Sequence, residues 1–223
     1  MSAAWLSAWA LLLLTLDVAA LWLQRRATPW LMAGLRLALH VGLTLGALTS
    51  GALGPATFGL GRQLVDQERW MGFTPMEWLR GIGAALLAVS ASLLVVGLVR
   101  ATSAQHVTGE DEVLLALAAT CDELRWALYR AALIAWADDV YIGAALALMP
   151  ISAEWVIHQR WRPPNADIGQ GLVRAWCASL SFSLYVATQN LWLGIVAHIA
   201  LRVIGQAWLS HPTNAVPPRA SSR

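Results

Sequence analysis

The stretch TCDELRWALYRAALIAW, residues 120–136, decides how this chain is read. It is mostly apolar and long enough to cross much of a bilayer, yet it holds Asp122, Glu123, Arg125 and Arg130 within nine residues. Its surroundings show that it belongs in a membrane protein. The chain has 223 residues, 58% of them hydrophobic and only 13% charged, whereas a soluble domain carries about 25% charged residues. The apolar residues fall in long runs, the pattern of membrane-spanning helices. The fold class is therefore all-α, a polytopic transmembrane helical bundle.

Seven spans are expected, at about 4–23, 29–50, 76–99, 110–136, 139–160, 168–188 and 190–209. Residues 5–23 resemble the apolar region of a signal peptide. No basic residue precedes them and Gln24-Arg25-Arg26 follows, so they read as a retained span. Residues 1–109 form an N-terminal three-span part with an external loop at 51–75, residues 110–209 a four-helix core, and residues 210–223 a flexible cytoplasmic tail. Arginines in the loops near 25, 100 and 160 and in the tail all fall on one side. This asymmetry puts the N-terminus outside and the C-terminus in the cytoplasm. A net charge of +2 excludes a nucleic-acid partner; the implied partners are membrane lipids. The two cysteines, Cys121 and Cys177, show no metal-site spacing, and no cofactor or metal is implied.

Local punctuation supports these elements. Thr74-Pro75-Met76-Glu77 reads as a capping box with proline at the first helical position. Glu110, Asp111 and Glu112 suit a helix N-terminus. Asp138-Asp139 are expected to cap the fifth span, and Asn165 or Asp167 the sixth. A tight turn is needed near Gln189-Asn190. FGLGRQLVDQERWMGF, residues 58–73, is expected as a short amphipathic helix on the surface. Gly42, Gly46, Ser50 and Gly54 recur every fourth position and are expected to line a packing seam.

Charged groups inside a bilayer face a partner or a cavity. Asp17 and Arg36 lie on neighbouring spans and can pair, with His40 one turn from Arg36. Arg174 can snorkel. Glu123 and Arg130, seven residues apart, share a helix face; Asp122 is turned from Glu123 by about 100°, and Arg125 by about 200°. Glu123 is roughly 20 Å of helix rise from the start of its span. Glu154 and His158 are four apart on the next helix, as are His198 and Arg202 on the last. A carboxylate with two histidines can activate water, with Glu123 as general base and His158 and His198 polarising a carbonyl. The same residues suit a polar network that locks the helices. Histidines 40, 158 and 198 also leave open a haem- or pigment-binding bundle.

The order of these motifs resembles the CPBP family, the CAAX-protease and bacteriocin-processing (Abi) group of intramembrane glutamate proteases. DELRWA at 122–127 resembles the family's Glu-Glu-x-x-x-Arg segment. EWVIHQRW at 154–161 resembles its aromatic-His segment, and NLWLGIVAHIALRV at 190–203 its His-x-x-x-Asn span. The resemblance covers residues 110–208. It implies a CPBP-like core in the last four helices with a polar cavity open to the cytoplasm, in a bacterial inner membrane. The implied activity is cleavage of a membrane-associated protein or peptide. Glu123, His158, His198, Asp122, Arg202 and Arg130 would form the site. Four positions depart from the motifs: Asp122 replaces the first glutamate, Ala127 stands in place of arginine, Arg202 in place of asparagine, and Trp155 is three residues before His158 where the pattern has four. Arg130 or Arg202 would then do the missing arginine's work. Alternatively, Arg202 pairs with Glu123 and leaves an inactive homologue serving as a scaffold, assembly factor or subunit among partner proteins of a membrane complex.

Overall fold

The structure is a computed structural model that describes residues 15, 28–61, 69–102, 111–160 and 168–210; the side chains of 99–102, 158–160, 168–174, 206 and 208–210 lie outside that description. The expected first span, Asp17 and its pairing with Arg36, the caps Asn165 and Asp167, the Arg174 side chain and the tail beyond residue 210 therefore lie outside the described residues. What is described is helical throughout, with one isolated β-bridge between Trp70 and Phe73. The helices are α1 (Pro29–Thr49), α2 (Pro55–Phe58), α3 (Pro75–Thr102), α4 (Glu112–Ala137), α5 (Val140–Arg160), α6 (Ile168–Thr188) and α7 (Leu191–Ser210). Three contain stretches long and apolar enough to cross a membrane: Pro29–Thr49, Pro75–Leu98 and Val140–Ile157. Ala175–Thr188 and Leu191–Gly205 are shorter apolar stretches.

The helix starts follow from their sequences. Glu77 accepts a hydrogen bond from the Thr74 amide at 2.7 Å, and the Thr74 hydroxyl accepts one from the Glu77 amide at 3.3 Å, which completes the capping box of α3. Asp111 caps α4 by accepting from the Val113 amide at 2.9 Å. Asp138 ends α4 in the left-handed conformation with φ 53°, and Asp139 caps α5 through the Ile142 amide at 2.7 Å. Gln189 turns the chain with φ 49°, and Asn190 accepts from the amides of Trp192 and Leu193 to open α7.

The central helix is α4. It packs against α1, α2, α5 and α7, while α6 joins α5 to α7, and α3 lies against α6 and α7. Every residue from Cys121 to Ala131 is buried. A helix buried on all sides meets protein in every direction, so its charges have partners without facing lipid. The residues around it that point outward are large and apolar, such as Leu86, Leu87, Leu94 and Met149.

Two expectations are corrected. The 58–73 segment is not a surface amphipathic helix in its described part: helix stops at Phe58, and Phe58, Leu60 and Phe73 are buried against the bundle. Burying three large apolar side chains outweighs surface adsorption, and hydrogen bonds fix the segment in place. Tyr185 donates to the Thr57 carbonyl at 2.8 Å, and the Leu191 amide to the Gly59 carbonyl at 2.9 Å. Residues 62–68 lie outside the described set. The small-residue stripe of α1 is not its packing seam either. Gly42 is open, with nothing within 4 Å of an added Cβ, and α1 buries Met32, His40, Thr44 and Ala47 instead. Larger side chains on that second face remove more area from contact with the surroundings, so it is the face turned to α4.

Candidate functional site

The site begins with Glu123, which is wholly buried on α4. A carboxylate there requires a counter-charge and hydrogen bonds. Arg130, two turns along the same face, donates from Nη2 to Glu123 Oε1 at 2.7 Å. Ser181 on α6 donates from Oγ to the same oxygen at 2.7 Å and accepts from Arg130 Nη1 at 2.8 Å. The Arg130 guanidinium also lies over the Tyr185 ring, 4.6 Å from its centre. One oxygen of Glu123 is thus fixed by a closed triangle of donors.

The other oxygen faces His198. Glu123 Oε2 has no hydrogen-bond partner among the described residues, and neither does either ring nitrogen of His198. His198 Nδ1 lies 3.5 Å from Glu123 Oε2 with both side chains fully buried, too far for a direct hydrogen bond of normal length. The His198 ring is held from the side: Trp126 stacks on it with ring centres 5.0 Å apart and planes 11° apart. The buried Cys177 thiol lies beside the same ring. Gly194, one turn before His198, makes room for the carboxylate, because a Cβ there would sit 2.9 Å from Glu123 Oε1.

A second group of charges adjoins the first. Asp122 accepts from Arg125 Nη2 at 2.8 Å and from Arg202 Nη2 at 2.7 Å. Arg125 Nε lies 3.1 Å from Glu154 Oε2, and Tyr129 donates to Glu154 Oε1. Three carboxylates (Asp122, Glu123, Glu154) and three guanidiniums (Arg125, Arg130, Arg202) therefore balance within one buried cluster. Balanced pairing is what allows so many charges to sit away from water.

Of the residues expected from sequence, Glu123, Arg130 and His198 come together, and Asp122 joins Arg202 beside them. Arg202 does not pair with Glu123; it takes Asp122, and Arg130 holds Glu123. Ala127 is buried, and Arg130, three residues on, is the arginine that pairs with Glu123. Glu154 meets Arg125 and Tyr129, while the side chain of His158 lies outside the described residues. His40 is buried on α1, where its Nδ1–H donates to the Arg36 carbonyl at 2.7 Å. A cavity of about 210 Å³ between α4, α5 and α6 is lined by Arg125, Trp126 and Glu154 among others, and Glu123 and His198 do not line it. Sequence reading missed Ser181, Cys177, Trp126 and Gly194. The first two share with Tyr185 the face at 177, 181 and 185 of α6, a four-residue spacing that marks them as inward.

No protein-family model, no curated protein and no solved structure matches the chain. Fold and composition point to a membrane protein: the described residues are helical and hold three helices long and apolar enough to cross a membrane. Within it, a buried, charge-balanced cluster surrounds one open carboxylate oxygen.

Proposed function

We propose that this is a multi-pass bacterial inner-membrane protein of the CPBP type, N-terminus outside and C-terminus cytoplasmic, with seven spans. Its Glu123–His198 pair activates water to cleave an amide bond in a membrane-associated protein or peptide. The observation that carries this reading is the open Glu123 Oε2 facing His198 Nδ1 at 3.5 Å, both side chains wholly buried. Buried polar atoms are left unpaired in folded proteins where a water, ligand or reacting group takes the place. Glu123 Oε2 takes a proton from water, the hydroxide adds to the substrate carbonyl carbon, and the breaking C–N bond collects the proton at nitrogen. Arg130 and Ser181 act as positioning residues that aim the free oxygen.

The test compares new N-termini in membrane fractions of cells expressing the protein or its variants. Cleavages made by the wild type should fall by about 10²–10⁴-fold in Glu123→Gln and His198→Ala. The variants should still purify as monodisperse protein. Unchanged cleavage in both would end the reading. Gly194→Ala gives a graded check: its Cβ displaces the carboxylate from Arg130 and Ser181, and cleavage should drop on the order of a hundredfold. Thermal unfolding in detergent should change by only about 1–3 kcal/mol.

A second reading, a non-catalytic scaffold or subunit of a membrane complex, is favoured by one observation. All three carboxylates of the buried cluster are ion-paired. It expects a stoichiometric partner to co-purify in mild detergent, undiminished by Glu123→Gln; a protein that always purifies alone would count against it.

A further inference from the structure

The turn that leads into α3 presents two large apolar side chains outward: Trp70 is 66% exposed and Met71 38%. The Trp70 amide donates to the Phe73 carbonyl at 3.0 Å and the Phe73 amide to the Trp70 carbonyl at 3.2 Å, which closes a two-residue hairpin. Both central residues are left-handed, Met71 with φ 52° and Gly72 with φ 88°. Glycine adopts that conformation freely. Methionine does so at a cost, and asparagine or aspartate is the usual residue there. The turn is also fixed by its neighbours. The Trp78 indole donates from Nε1 to the Trp70 carbonyl at 2.9 Å. The Trp70 and Trp78 rings stand 5.0 Å apart, and the buried Phe73 ring meets Trp78 edge-on at 6.0 Å. Gly72 lies so close to Leu60 that a Cβ on it would overlap the Leu60 carbonyl oxygen. A turn of this shape in water carries small polar residues. This one accepts a strained backbone and holds a tryptophan and a methionine outward.

The surface that these two side chains continue says what covers them. Pro75–Leu98 is long and apolar enough to cross a membrane. Its exposed apolar row runs through Met76, Leu79, Ile82, Leu86 and Leu94. Trp70 rests on Trp78, one turn before Ile82, and so extends that row past the helix start. Where a span ends, the bilayer changes from acyl chains to headgroups. An indole suits that layer because its ring is apolar and its N–H polar. Arg69 and Arg80 stand near Glu77, and the exposed Arg80 can reach back along its stem to a lipid phosphate. We infer that Trp70 and Met71 form a rigid seat in the phospholipid headgroup layer, which sets the depth at which α3 enters the bilayer. The inference rests on α3 crossing a membrane and is independent of the hydrolase reading. Lipid fits better than a second copy of the chain, because the seat runs without a break into the apolar row of α3 and has guanidiniums beside it.

Two measurements test the seat in the full-length protein, in proteoliposomes of phosphatidylcholine and phosphatidylglycerol. The first takes the fluorescence lost in Trp70→Phe as the Trp70 signal. It is quenched by lipid nitroxides carried at the headgroup or at stepped positions along the acyl chain. Trp70 should lie about 5–10 Å inside the bilayer surface. Quenching by aqueous iodide alone would put Trp70 in water, and strongest quenching from the chain ends would put it in the acyl core. Protection from every quencher would mean that protein covers it. Each of these three results would overturn the seat. The second measurement uses the unaltered protein and maps photolabelling by mass spectrometry. A phospholipid with a headgroup diazirine should label Trp70, Met71 and Met76, whereas one with a chain-end diazirine should label Leu86 and Leu94. Labelling of Trp70 and Met71 by neither lipid, or as strongly by the chain-end lipid, would also overturn it.

Discussion

Replacing Arg130 with methionine should destabilise the protein by about 3–5 kcal/mol, the largest single effect expected in the molecule. Glu123 is fully buried and Arg130 is 2% exposed, so no solvent replaces the lost guanidinium. Only the Ser181 hydroxyl and the more distant His198 imidazole would then be left at the carboxylate. The cation–π contact over Tyr185 would go as well. Thermal or detergent-induced unfolding of the purified protein measures this. The double variant Arg130→Met with Glu123→Gln should recover part of the loss, because it leaves no buried carboxylate charge without its guanidinium. Arg125→Met should cost less than Arg130→Met: Asp122 keeps Arg202, and Glu154 keeps the Tyr129 hydroxyl. A double variant as unstable as the single one would show that Arg130 acts by packing and not by charge.

The second large effect is expected at Gly143, where α5 crosses α4. A Cβ there would overlap Ile134 Cα and Ile134 N. Those are backbone atoms, so no side-chain rotation relieves the overlap. The connection cannot lengthen either, because Asp138 ends α4 in a left-handed turn and Asp139 caps α5 directly after it. Gly143→Ala should therefore tilt α5 away from α4 and destabilise by about 3 kcal/mol. The tilt also draws Glu154 off Arg125 and Tyr129, adding to the loss of stability. Gly83→Ala is the control: nothing lies within 4 Å of its added Cβ, and alanine is the better helix former. It should be neutral or slightly stabilising in the same unfolding assay.

Helix limits were legible in the sequence because they depend on local chemistry. The Thr74–Glu77 box, the Asp139 cap and the Gln189-Asn190 turn each act within a few residues. The shared face of Glu123 and Arg130 was legible for the same reason, since helix geometry fixes it. What a face meets on another helix was not legible. Arg202 could be drawn to Glu123 or to Asp122, and only the packing of α7 on α4 decides for Asp122. Ser181 lacked any motif of its own, yet it completes the donor triangle on Glu123. The 58–73 segment misled because its apolar residues fit a lipid surface and a bundle end equally well. Its hydrogen bonds to Tyr185 and Leu191 come from more than a hundred residues away.

The pairing along α4 has a consequence for how the chain is made. Asp122 is bonded to Arg125, and Glu123 to Arg130, all four on one helix. The segment therefore carries its own counterions and has zero net charge before any later helix has been synthesised. A lone arginine or aspartate at mid-helix opposes insertion by about 2.5–3.5 kcal/mol. In the seven-span arrangement proposed above, two internal pairs lower that barrier as this helix enters the bilayer. The late-arriving charges, Glu154 on α5 and Arg202 on α7, are themselves one of each sign. Each then docks on a neutral helix that already displays its complement, Arg125 for the acid and Asp122 for the base.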